Sequence, residues 1–135
     1  MEIFYDTSVL VPLLLLEDGS ERAKELWRRT ETAWAWDWAK VECEAALGRR
    51  HAGPGAWAKW RELVPCLRFL QLREGFPALC EFNRFLAMRA ADAGHLFVAD
   101  RLARSRPACH VATFDREMRT AVPKLGLRLA EDDQL

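Results

Sequence analysis

Apolar residues fall along this chain in short unbroken runs separated by longer stretches at helical spacing. The run Ile3-Phe4-Tyr5 is β-prone and stops at Asp6-Thr7-Ser8, after which apolar residues continue without alternation to Leu16. This predicts a buried strand, a polar turn and a short helix. Ser20 stands where an N-cap belongs, with Ala23, Leu26 and Trp27 behind it at helical spacing, so a second helix is expected to reach about Arg29. The stretch 32–36 reads as a strand, and Asp37 is placed to cap a helix from Trp38 to about Arg50.

Gly53-Pro54-Gly55 breaks that helix; another is expected over 56–63, followed by strand-like residues 67–72. Pro77 suits the first turn of a further helix. Helical spacing then runs past Asp92 to Ala103, read as two helices meeting near Ala90. His110 to Phe114 is β-prone and ends at Asp115, a helix starts at Arg116, and 127–129 gives a last short strand. Strands separated by helices require crossovers, which implies an α/β fold: a central parallel sheet of four to five strands with helices on both faces. Ligands of such sheets bind beyond the carboxyl ends of the strands, where Asp6 and Asp115 are expected.

With 135 residues, half of them apolar, the chain suits one domain over 1–135 built on one core. No linker, repeat or biased tract interrupts it, and only the acidic stretch from Glu131 to Gln134 is expected to fray. The longest apolar run, Val9 to Leu16, is far short of the roughly 20 residues of a membrane span, and no basic segment precedes it. Cys43, Cys66, Cys80 and Cys109 are scattered without Cys-x-x-Cys spacing, as in a cytoplasmic protein with reduced thiols. Twenty basic residues balance twenty acidic ones, which excludes a strongly basic nucleic-acid binder. Sixteen of the twenty bases are Arg, the better match to phosphate.

Taken singly, Asp6 and Asp115 read equally well as helix N-caps. Glu42, among Trp38, Val41, Ala45 and Ala46, and Asp92, between Ala91 and Ala93, are less easily explained as structure. An acid at the margin of an apolar helix face either reaches solvent or is held inward for a cation. Glu44 is a rival to Glu42.

The order and spacing of four short pieces connect these acids. They are Tyr5-Asp6-Thr7-Ser8-Val9-Leu10, Val41-Glu42 with Ala46-Leu47, Arg89-Ala90-Ala91-Asp92-Ala93-Gly94-His95-Leu96, and Ala112-Thr113-Phe114-Asp115-Arg116. Through them nearly the whole chain resembles the PIN-domain proteins, and specifically the VapC-like toxins of VapBC-type toxin–antitoxin pairs. The resemblance implies a PIN-like fold and a metal-dependent endoribonuclease, with Asp6, Glu42, Asp92 and Asp115 as catalytic ligands of Mg²⁺ or Mn²⁺. Thr7, Ser8 and Thr113 match the hydroxyl positions beside two of these acids. It also implies an RNA substrate, a small antitoxin partner and a homodimer. Two alternatives stay open: a housekeeping RNA-processing nuclease without an antitoxin, and a non-catalytic domain that binds RNA or protein.

Four clustered carboxylates repel one another, and oxygen ligands select hard cations such as Mg²⁺ or Mn²⁺. Gly94 departs from the family pattern, which has a larger apolar residue there; a helix interior pays about 1 kcal/mol for glycine relative to alanine, so a loosened helix is expected. His51 is expected to be a solvated cation at a helix end. His95 is expected to pack and hydrogen-bond. Arg49, Arg50, Arg84, Arg89, Arg116 and Arg119 are candidates to line the RNA path. Trp34, Trp36 and Trp38 alternate, which on a strand puts all three on one face, either filling the core or offering a partner surface.

Overall fold

A computed structural model describes residues 1–131. The chain begins with β1 (Glu2–Tyr5), α1 (Thr7–Leu14), α2 (Ser20–Arg28), β2 (Thr32–Trp36), α3 (Trp38–Arg49) and α4 (Pro54–Leu63). A 3₁₀ turn (Val64–Cys66) leads to β3 (Leu67–Leu70), then α5 (Phe76–Leu86), α6 (Ala90–Ser105), β4 (His110–Ala112) and α7 (Arg116–Lys124). All pairings are parallel, in the order β3-β2-β1-β4. Leu129 adds a single parallel bridge to Val111 in place of a full fifth strand.

The unalternating apolar run of β1 follows from burial on both sides. Ile3 and Tyr5 point to one core with α1 to α4, whereas Phe4 points to the other with α6 and α7. Ile3 pairs with Ala33 on one side and His110 on the other. The Asp6 N–H donates to the Ala112 carbonyl at 2.9 Å, so β1 and β4 end at the same level. The sheet thereby sets both strand-end acids on one edge.

Local details depart from the sequence pattern where tertiary bonds compete. Ser20 is the first residue of α2 and Gly19 its N-cap; the Ser20 hydroxyl instead donates to the Leu15 carbonyl and accepts from the Glu17 N–H, both at 2.9 Å, closing the turn after α1. Asp37 occupies the N-cap of α3 but makes no side-chain capping bond, its backbone being already helical. The helix expected at Ala56 begins two residues earlier, with Pro54 in its first turn. Strand β4 stops at Ala112, two residues short of the expected end. Of the expected fraying tail, 132–134 lie outside the described residues. Glu131 is partly buried and pairs with Arg22 at 2.5 Å and Arg119 at 3.4 Å.

Only Trp34 and Trp36 share a face of β2, because the strand ends at Trp36 and Trp38 opens α3. Trp38 nevertheless stacks on Trp36, with ring centroids 5.9 Å apart and 27° between planes. Gly94 does not loosen α6. A Cβ there would meet the Trp36 ring at 2.5 Å, so the absent side chain admits the tryptophan against the helix.

Candidate active site

Asp6 caps α1 and is almost fully buried. Its Oδ2 accepts from the Ser8 hydroxyl at 2.6 Å, the Thr113 hydroxyl at 2.9 Å and the Ser8 N–H at 3.3 Å. Ser8 Oγ also accepts from the Phe114 N–H at 2.9 Å, and Thr113 Oγ1 accepts from the Asp115 N–H at 3.2 Å. These two hydroxyls therefore tie the loop after β1 to the loop after β4 and fix the orientation of Asp6. The structure gives Ser8 and Thr113 this positioning geometry, while Thr7 donates to Glu42 Oε1 at 3.0 Å.

Asp115 caps α7 by accepting from the Met118 N–H at 2.9 Å. Both strand-end acids are thus N-caps as well as members of the acidic edge. Capping engages one oxygen of each carboxylate and so does not exclude a second role.

Glu42 projects from α3 toward this edge, and its side chain is 29% exposed. The fully buried His95 of α6 donates from Nε2 to Glu42 Oε1 at 2.5 Å and lies 3.7 Å from Asp6 Oδ1. Burial alone would raise the Glu42 carboxyl, but the His95 hydrogen bond and charge and the Thr7 hydrogen bond hold it below its ordinary value. Burial alone would lower His95; the Glu42 hydrogen bond and the charges of Asp6, Glu42 and Asp92 outweigh it and raise the imidazole. His95 thus packs and hydrogen-bonds as expected, edge-on to Trp36 at 5.0 Å. The rival Glu44 accepts from Trp60 Nε1 at 3.2 Å.

Asp92 completes the acidic edge from the first turn of α6. Its carboxyl is raised above the usual range by burial, then by the charges of Asp115, Asp6 and Glu42, against the opposing pull of His95. Four acids spread over the whole chain therefore share one electrostatic field. Among the described residues no group of three donors is already arranged to hold a metal ion. The donor set itself suits one: it is all oxygen, and repulsion adds to burial in raising one of its members.

The arginine candidates separate by position. Arg49 and Arg50 line a groove of about 490 Å³ with Thr7, Ser8, Trp38 and Glu42, and Arg50 pairs there with Glu17. Glu17 carries no motif that marks it in the sequence. Arg84, Arg89 and Arg116 are exposed, the last two at the N-terminal ends of α6 and α7. Arg119 is occupied structurally, donating to the Thr113 carbonyl at 2.9 Å and pairing with Glu131. His51 is exposed beyond the end of α3, in a left-handed conformation with φ of 51°.

No family model matches the chain. It is 31% identical over 137 aligned positions to Ribonuclease VapC45 of Mycobacterium tuberculosis (strain CDC 1551 / Oshkosh), with 95% of this chain and 94% of the relative covered. The same identity and coverage relate it to Ribonuclease VapC49 of Mycobacterium tuberculosis (strain ATCC 25618 / H37Rv). Its fold is similar to the crystal structure of Mycobacterium tuberculosis VapC20, described as a Sarcin-Ricin loop cleaving toxin. That match has a TM-score of 0.65 and 20% identity over 89% of this chain and 95% of the other. With the parallel sheet and its acidic edge, the identity over nearly the full length shows that this chain belongs to the VapC ribonuclease family.

Proposed function

We propose that the chain is a metal-dependent endoribonuclease, the toxin of a toxin–antitoxin pair, which hydrolyses RNA phosphodiester bonds at Asp6, Glu42, Asp92 and Asp115. The observation that carries this reading is geometric: Asp6 and Asp115 follow two adjacent parallel strands that end at one level, His95 joins Glu42 to Asp6, and Asp92 lies one turn before that histidine on α6. It is supported by the name Ribonuclease carried by both relatives.

Asp6, Glu42, Asp92 and Asp115 would hold Mg²⁺ or Mn²⁺. When bound, the ion supplies charge neutralisation and Lewis acidity at the phosphoryl group. Ser8 and Thr113 hold Asp6 Oδ2 and leave Oδ1, 3.7 Å from His95 Nε2, without a hydrogen bond among the described residues, while Thr7 and His95 hold Glu42 Oε1 and leave Oε2. Such hydroxyl and imidazole partners fix ligand orientation before substrate arrives.

The partners of this reading are an RNA substrate, a cognate small antitoxin and a second copy in a homodimer. Exposed Phe76 and Phe85 at the two ends of α5 support a covered face. The reading also places the protein in the cytoplasm as one domain; among the described residues no helix is long and apolar enough to cross a membrane.

Asp6→Asn tests the mechanism. Asn caps helices about as well as Asp, so melting by circular dichroism should stay close to wild type. Removing a ligand should cost more than loss of an outer partner, so Mg²⁺-dependent cleavage of total RNA should fall by about 100-fold or more. Equal cleavage by the folded variant would sink the carboxylate mechanism.

A further inference from the structure

The groove beside the acids is walled by an aromatic ring that the proposed chemistry does not use. Trp38 is 46% exposed, yet its position is fixed because one side of the indole stacks on Trp36. Trp36 is itself held edge-on against His95 and in close contact with Gly94. One turn along α3 comes Glu42, and Trp38, Glu42, Ala45 and Arg49 succeed one another at three- and four-residue intervals, with Val41 beside Glu42, sharing one side of the helix. That side faces Thr7, Ser8 and Val11 of α1 across the groove.

We propose that Trp38 is a stacking platform for one base of a single-stranded RNA next to the scissile bond, with Arg49 receiving a phosphate farther along α3. The proposal rests on the ribonuclease reading of the acids. An open aromatic face near a cation suits sequence-tolerant base stacking. An indole already backed by a second indole has little rotamer freedom left to lose when a base settles on it. The groove volume of about 490 Å³ falls within the range of small-ligand sites. Its walls mix Trp38 and Val41 with hydroxyls, Glu42 and Arg49, which fits a nucleotide better than an apolar protein segment. Arg50 is engaged by Glu17, which leaves Arg49 as the cation of that wall without an ion pair among the described residues.

The test starts from the cut that wild type makes in total RNA with Mg²⁺. A short single-stranded RNA spanning the mapped cut is then prepared intact and with an abasic nucleotide at each position in turn. For wild type, one abasic position adjoining the cut should raise KM by about tenfold, with kcat little changed. Trp38→Ala should show that same rise on intact RNA and no further rise on the abasic RNA, whereas Trp38→Phe should keep most of the affinity. This non-additivity is a readout that a merely structural tryptophan would not give.

Wild-type KM for Trp38→Ala, or additive effects of variant and abasic site, would overturn the proposal. So would unchanged RNA kinetics combined with loss of a co-purifying protein partner, which would assign the groove to that partner. Should Trp38→Ala fail to fold, the wild-type abasic scan and Trp38→Phe decide: a scan without a responsive position beside the cut overturns the platform. Failure of wild type to cleave any RNA would instead overturn the ribonuclease reading beneath it.

Discussion

The ring of Trp36 lies so close to α6 that a Cβ on Gly94 would sit 2.5 Å from two of its atoms. The ring has little room to yield, since Trp38 stacks on it and His95 meets it edge-on. Glycine in this helix therefore costs propensity and permits packing, and the packing supports the imidazole that holds Glu42. Gly94→Ala should destabilise by about 1 to 3 kcal/mol despite a helix-propensity gain of about 1 kcal/mol. In a Trp36→Leu background the same change should become neutral or stabilising. Urea melts of the four proteins check this; a more stable Gly94→Ala single variant would refute the steric account.

Metal binding should stabilise the folded chain, because burial raises Asp92 and the repulsion that adds to it exists only when Asp115, Asp6 and Glu42 are brought to it. At a concentration about 100-fold above its dissociation constant, Mn²⁺ should add about 2.7 kcal/mol, enough to raise the melting temperature by several degrees. Asp92→Asn should melt higher than wild type without metal and respond less to it. A melting temperature unmoved by Mn²⁺, with no heat of binding in calorimetry, would remove the cation from the proposed site.

The four thiols should divide into two classes. Cys66 and Cys80 are exposed, whereas Cys43 and Cys109 are buried. Burial, then the charge of Glu2, pushes the Cys109 thiol up to about 12; burial, then Glu42, Asp6 and Glu44, does the same for Cys43. At pH 8 a thiol reagent should modify two groups rapidly in the native protein and four after unfolding. A thiol whose folded pKa is raised stabilises the fold fully below its unfolded value of about 8.5. That stability is lost as pH rises from there through about 12. The denaturation midpoint should therefore fall with pH in this window, and by less in Cys109→Ala. Four equally fast thiols in the native state would contradict the burial.

Much of this architecture was legible in the sequence because its signals are local. The run Ile3-Phe4-Tyr5 has the look of a doubly buried strand, and the Pro and Gly punctuation placed α4 and α5 within two residues. The four acids were found through motif order, which periodicity alone does not supply. What was not legible depended on partners distant in sequence. Gly94 looked like a weakness because Trp36 lies 58 residues away. Ser20 looked like a cap because its bonds to Leu15 and Glu17 belong to the turn before the helix. Arg119 could not be separated from the other arginines until its bond to the Thr113 carbonyl was visible.

The hydroxyl link between Asp6 and Thr113 spans 107 residues of sequence. Asp6 is made 107 residues before the threonine that helps to aim it, and the strand that levels it also comes late. A growing polypeptide has all of α1, α2 and α3 before it has either. Until His110 to Asp115 leave the ribosome, Asp6 can be oriented by Ser8 but not by Thr113, and Asp115 has not joined it. The acidic edge is therefore completed only after Thr113 and Asp115 have been made, however early Asp6 and Glu42 appear.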